Sequence, residues 1–185
     1  RAEIFFDPHT HTSRGVGWDV FMPGILRACA ASSVSVGLIM CFLRHLGGDA
    51  ATQCWQESEP YREHIIAVGL DSSELGFPPS LFTHVFSEAK AAGLQTVAHA
   101  GEEGPPEFIV EALDLLKCSR IDHGIRAIES DALMQRLKEE GVPLTVCPLS
   151  NVALKAVSCI EAHPLKKLLA KGLCVTVNSD DPAYF

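Results

Sequence analysis

The chain has no Cys-x-x-Cys pair, although seven cysteines stand among its 185 residues. An odd count without that spacing argues against a thiolate zinc site and against a disulfide framework. Cys41, Cys147 and Cys174 fall inside apolar runs, where a thiol reads as a small core hydrophobe in a reducing compartment. No apolar run reaches bilayer length. The longest, near Val36 to Leu43, is too short to span one. No leader peptide is visible. The reducing compartment read from the cysteines makes the cytoplasm the expected location, with the nucleus as a further compartment. Cationic residues are scarce, 15 Lys and Arg against 23 Asp and Glu, for a formal charge of −8. That balance argues against a nucleic-acid backbone or an anionic membrane as partner. No linker or low-complexity tract interrupts the chain, so residues 1–185 read as one domain. There is no initial Met. The chain opens directly on a strand-like run and stops at Tyr184-Phe185, which suggests a segment of a longer protein or a truncated form. Nothing in the sequence sets an oligomeric state.

Apolar, β-branched runs recur along the whole length: Ala2–Asp7, Val34–Leu43, Ile65–Leu70, Leu94–Ala98, Arg120–Asp122, Val142–Cys147 and Leu173–Val177. Stretches of helical spacing separate them: Val20–Ala31, Pro79–Ala92, Glu107–Leu116, Ser130–Glu140 and His163–Lys171, with a weaker one at Asp49–Pro60. Ser130 is placed to cap its helix and Gly172 to stop another. Alternation of strand and helix implies a parallel sheet covered on both faces.

Each apolar run ends in polar, titratable residues. In order these are Asp7-Pro8-His9-Thr10-His11, Arg44-His45, Asp71-Ser72-Ser73-Glu74, His99 to Glu103, His123-Gly124, Pro148 to Asn151 and Asn178 to Asp181. Chemistry at one end only is the pattern of a barrel with one reactive face. About seven strands are visible where a (β/α)8 TIM barrel needs eight, so a barrel short of one strand is the economical reading and a doubly wound open sheet the alternative. The pivotal stretch is Leu94 to Gly104, in which a buried strand delivers His99 and Glu102 together into a glycine-bearing turn. If the sheet closes, His99, Glu102, His123, Asp180 and Asp181 share one mouth. An imidazole and a carboxylate from different strands suit a divalent metal such as zinc. Against this, Asp180-Asp181-Pro182 could be only a turn.

The segments Val97-Ala98-His99-Ala100-Gly101-Glu102, Ile121-Asp122-His123-Gly124, Val146-Cys147-Pro148 and Asn178-Ser179-Asp180-Asp181-Pro182 closely resemble the adenosine and adenine deaminase family, in the right order and from end to end of the chain. Glu3 to Pro8, Cys41 to His45 and Gly69 to Gly76 look more like the adenine deaminase branch. A Glu at position 74, in a loop that commonly contains glycine in adenosine deaminases, would leave less room for a ribose. The resemblance implies a (β/α)8 TIM barrel lacking its first strand and C-terminal helix. It implies a Zn2+-dependent hydrolysis of adenine, a small-molecule purine, to hypoxanthine and ammonia in purine salvage. Residue by residue, it implies that His99 and Asp180 bind the metal, that Glu102 protonates purine N1, that His123 orients and helps activate the attacking water, and that Asp181 bonds the purine at N7. The cytidine-deaminase kind of zinc site needs H-x-E and P-C-x-x-C, which this chain lacks.

The family also binds its metal through a His-x-His pair on its first strand, and no such strand is found. His9-Thr10-His11 has the spacing, but its context resembles the family's second strand and places it in a loop beyond that strand. Two alternatives follow: adenosine as the substrate, or a truncated, inactive member acting by association.

Overall fold

The computed structural model describes residues 1–184. Seven strands, β1 (Ala2–Phe6), β2 (Val36–Leu43), β3 (Ile65–Asp71), β4 (Gln95–Ala100), β5 (Arg120–His123), β6 (Leu144–Val146) and β7 (Val175–Val177), form one sheet in sequential order. Every neighbouring pair is parallel. Sequential parallel order is that of a (β/α)8 barrel and excludes the doubly wound sheet, whose order reverses at a switch point. Every expected strand is present, with ends shifted by one or two residues.

The helices are α1 (Pro8–Thr12), α2 (Trp18–Ala31), α3 (Gly47–Glu57), α4 (Thr83–Ala91), α5 (Pro106–Asp114), α6 (Asp131–Glu139), α7 (Pro148–Ala153) and α8 (Leu165–Ala170). No helix is long and apolar enough to cross a membrane among the described residues. Ser130 caps α6 as expected, its Oγ accepting from Leu133 N–H at 3.2 Å. The core lies between the sheet and these helices, with Met22, Phe42, Phe82, Phe86, Ile109 and Leu137 sealed from solvent. The other face of the sheet carries a smaller apolar cluster of Ile39, Cys41, Ala67 and Val97.

Some local expectations need correction. Val20, Leu81, Leu115 and Leu169 supply part of the apolar spacing that predicts these helices, and the expectation that they face the core fails: all four are exposed. Leu81 lies in a 3-10 turn that precedes α4, which puts it out of phase with the helix. Cys174 is exposed just before β7, and Cys147 follows β6 as the residue that caps α7. His9 and His11 lie in helix α1 and not in a loop, because Asp7-Pro8 starts a helix with proline in its first turn. Residues two apart on a helix diverge. His9 Nε2 reaches the Ala50 carbonyl at 3.3 Å, while the His11 ring stacks on Phe21, so they form no metal-binding pair.

Candidate active site

Parallel strands place all their carboxyl ends at one edge of the sheet, and the titratable tails are gathered there. β4 ends at Ala100 and turns through Gly101 at φ +71°. β5 ends on His123, itself left-handed at φ +61°, followed by Gly124 at +66°. Asp180, beyond β7, is left-handed too, at φ +60°. A side chain in that region costs roughly 1–2 kcal/mol, and such residues concentrate at functional sites.

Four of the five residues singled out from the sequence come together. The His99 and His123 rings lie 4.8 Å apart. His123 Nδ1 is 3.4 Å from Glu102 Oε1, and His123 Nε2 is 3.9 Å from Asp180 Oδ2. Asp181 does not join them: its Oδ1 accepts from Ala183 N–H at 3.0 Å and its carbonyl from Tyr184 N–H, both within its own turn.

Asn151 ties the group into a network and was given no role by the sequence reading. Its amide donates to Glu102 Oε1 at 2.6 Å and to His123 Nδ1 at 3.1 Å, and its oxygen faces His163 Nε2 at 3.1 Å. In this arrangement His123 Nδ1 accepts, so its proton sits on Nε2, toward Asp180. Burial lifts the Glu102 carboxyl to about 8, overriding the Asn151 hydrogen bond that favours its charged form. Asp180, Glu74 and Glu103 push in the same direction as burial. Burial also lowers His123 to about 3, helped by neighbouring His99, and lowers His99 to about 3, helped by Arg44 and Arg120. Near neutral pH the site therefore holds a neutral carboxylic acid and two neutral imidazoles.

Asp122, also unassigned from the sequence, lies under His99. Its Oδ1 accepts from Thr145 Oγ1 at 2.6 Å and Arg120 Nε at 3.1 Å, and its Oδ2 is 3.7 Å from His99 Nδ1. The position of Glu74 corrects the reading of that residue as a steric block to ribose. It is buried, and its carboxylate is turned onto the backbone of the 101–104 turn.

Two groups of potential metal donors occur among the described residues. His123, Cys147 and Asp180 bring donor atoms within 4.8 Å of one another, and so do Asp7, Cys41 and Asp71. Burial raises the Cys147 thiol to about 12 and the Cys41 thiol well above its ordinary value, so neither offers a ready thiolate. The first group adjoins His99, whose buried Nδ1 has no hydrogen-bond partner. Imidazole nitrogen and carboxylate oxygen on one rim form a donor set suited to a divalent metal.

A family model described as adenosine deaminase matches residues 1–185. The chain belongs to the adenosine deaminase family. Within this family it is 58% identical to the adenine deaminase of Hahella chejuensis over 188 residues, covering all of this chain and 56% of that protein. It is 56% identical to the adenine deaminase of Acinetobacter baylyi, again over the whole chain and 57% of the relative. Its fold matches the crystal structure of adenine deaminase from Arthrobacter aurescens with a TM-score of 0.96 at 50% identity, covering 100% of this chain and 58% of that one. It also matches an amidohydrolase from Burkholderia ambifaria with bound Zn, with a TM-score of 0.88 at 30% identity, covering 98% and 53%. The chain thus spans a little over half the length of these relatives.

Proposed function

We propose that residues 1–185 form the greater part of one (β/α)8 barrel domain of a zinc-dependent aminohydrolase, which converts adenine to hypoxanthine and ammonia in purine salvage. The observation that carries this reading is the Glu102–Asn151–His123 cluster, in which a neutral carboxylic acid and a neutral imidazole stand side by side at the rim. High identity to adenine deaminases of several organisms supports adenine over adenosine. Seven unpaired cysteines favour a reducing compartment, the cytoplasm.

His99 and Asp180 would hold the metal. The His99 imidazole against the His123 ring and the Asp180 carboxylate beside His123 Nε2 are a donor pair that fits that role. When bound, zinc supplies Lewis acidity toward a water. The remaining chemistry belongs to the side chains. An exocyclic amine leaves an aromatic ring with difficulty, and C6 is a poor electrophile. Glu102 keeps its proton to about pH 8. Because Oε1 accepts from Asn151, Oε2 carries that proton. Delivered to N1, it withdraws electron density from C6 at the moment of attack. The Nε2–H of His123 orients the incoming water, and Asp180 takes its proton and passes it on toward the departing ammonia. Asp181, next in the chain to Asp180, would supply the contact to N7 on leaving the hydrogen bond to Ala183 N–H.

The test uses the complete protein with zinc. Loss of adenine absorbance with stoichiometric ammonia is expected, with much slower turnover of adenosine and AMP, and abolition by a chelator followed by recovery on adding zinc. Equal rates on adenine and adenosine would overturn the substrate assignment. A folded, zinc-loaded protein inert toward all three would overturn the reaction.

A further inference from the structure

Glu74 and Arg44 lie outside the proposed chemistry, yet both are buried at the carboxyl edge, and each reaches the end of β4: Glu74 through its carboxylate and Arg44 through one guanidinium nitrogen. Glu74 is 1% exposed and Arg44 0%. The Glu74 carboxylate accepts from three backbone N–H groups: Gly101 at 3.0 Å, Glu102 at 2.9 Å and Gly104 at 3.1 Å. Successive amides converging on one carboxylate form an anion-binding concavity. A Cβ at Gly104 would overlap Glu74 Oε2, so glycine at 104 is what lets the carboxylate seat. From the end of β2, Arg44 Nη1 donates to the His99 carbonyl at 2.8 Å and its Nε to the Phe77 carbonyl at 2.8 Å. Phe77 N–H in turn donates to the Glu74 carbonyl at 3.1 Å. The segment 99–104 is therefore gripped by its amides from beyond β3 and by its His99 carbonyl from beyond β2.

We propose that Glu74, braced by Arg44, is a positioning residue for the general acid: it fixes the Glu102 backbone relative to His99 and so sets where the N1 proton donor sits. The inference rests on the reading of Glu102 as that acid. A bond to the Glu102 amide and one on either side of it remove the freedom of the turn to rotate. Loss of the clamp lets the acid drift, and misplacement of a catalytic group by about 1 Å costs roughly 100-fold in rate. Substrate binding is expected to be spared, because the Glu74 carboxylate is spent on the backbone of the turn.

The experiment compares Glu74→Gln, Gly104→Ala and their combination in the complete, zinc-loaded protein. Gln keeps the shape and one acceptor but sets an amide N–H against the backbone donors. The methyl group added by Gly104→Ala presses on the carboxylate and on the Phe108 ring, which displaces the carboxylate while leaving it in the chain. Each single change is expected to lower kcat about 100-fold with KM for adenine little altered, and the double variant to fall no further, because both break the same clamp. Glu74→Asp, one methylene short, is not expected to restore the rate. Amide hydrogen exchange at Gly101, Glu102 and Gly104 is expected to be slow in the parent and fast in Glu74→Gln. Wild-type kcat in either single variant with accelerated exchange would overturn the positioning role. Unchanged exchange would overturn the clamp itself. Failure of the parent to deaminate adenine would refute the functional reading instead, and the exchange arm would still test the clamp.

Discussion

Glu102 Oε1 and His123 Nδ1 lie 3.4 Å apart with neither group charged near neutral pH, and Asn151 donates to both. An acid and a base held this close in water would exchange a proton and form an ion pair. Burial reverses that outcome, because it penalises the carboxylate and the imidazolium alike. Activity and stability both depend on this neutrality and on the backbone that holds it.

Glu102→Gln keeps the size of the side chain and removes its acidic proton. Turnover of adenine is expected to fall about 100- to 10,000-fold, the usual range for losing a general acid. Affinity for a non-reactive purine, measured by calorimetry, should stay close to the parent value. Loss of affinity with retained turnover would contradict the assigned role.

Asn151→Ala removes three hydrogen bonds at once and leaves Glu102, His123 and His163 short of partners. A buried polar group without its partner costs about 1–3 kcal/mol, so a lower urea midpoint is expected along with a lower kcat.

The pH dependence of stability in the metal-free protein follows from the raised Glu102 and the lowered histidines. A carboxyl lifted to about 8 when folded binds more proton in the folded state than in the unfolded one at every pH between its ordinary value and 8. Its contribution to stability therefore falls as pH rises through that window. His99 and His123, lowered to about 3, bind less proton when folded, so stability falls as pH drops from their ordinary value toward 3. Glu102→Gln removes the first slope only. Its Tm relative to the parent is expected to improve steadily from mildly acidic pH to pH 8, and a pH-independent difference would refute this assignment.

Asp71 tests the same physics outside the reacting cluster. Burial, with Asp7 beside it, holds its carboxyl well above the ordinary range. Asp71→Asn is expected to raise Tm at neutral pH by a few degrees, since about 1 kcal/mol corresponds to roughly 2–4 °C in a chain of this size. The gain should vanish in acid, where the parent side chain is also neutral.

Gly101→Ala combines a left-handed backbone with a collision, because a Cβ there would lie 2.5 Å from Ile109 Cδ1. A loss of about 2 kcal/mol or more is expected, readable as a lower urea midpoint with unchanged m-value.

Much of this architecture was legible in the residues themselves. β2 and β3 announce themselves as unbroken apolar runs because both their faces are covered. His99, Glu102, His123 and Asp180 were found because each stands at or within a few residues of a strand's carboxyl end, and parallel strands carry those ends to one rim. Asn151 was passed over because its three partners are 49, 28 and 12 residues away, and an Asn in a strand tail carries no mark of that network. Glu74 was noticed but misread, since sequence position does not show whether a carboxylate faces a cavity or a row of amides. The helix at Pro8–Thr12 was taken for a loop because five residues are too few to display a period.

The left-handed conformation of His123 sets backbone strain against the packing and hydrogen bonding of one side chain. Glycine there would relieve the φ of +61°, but it would delete the imidazole, leave a buried cavity and strip Asn151 of a partner. A stabilisation campaign guided by backbone geometry alone would select that exchange among its first improvements and lose both the packing and the one imidazole that joins Glu102 to Asp180.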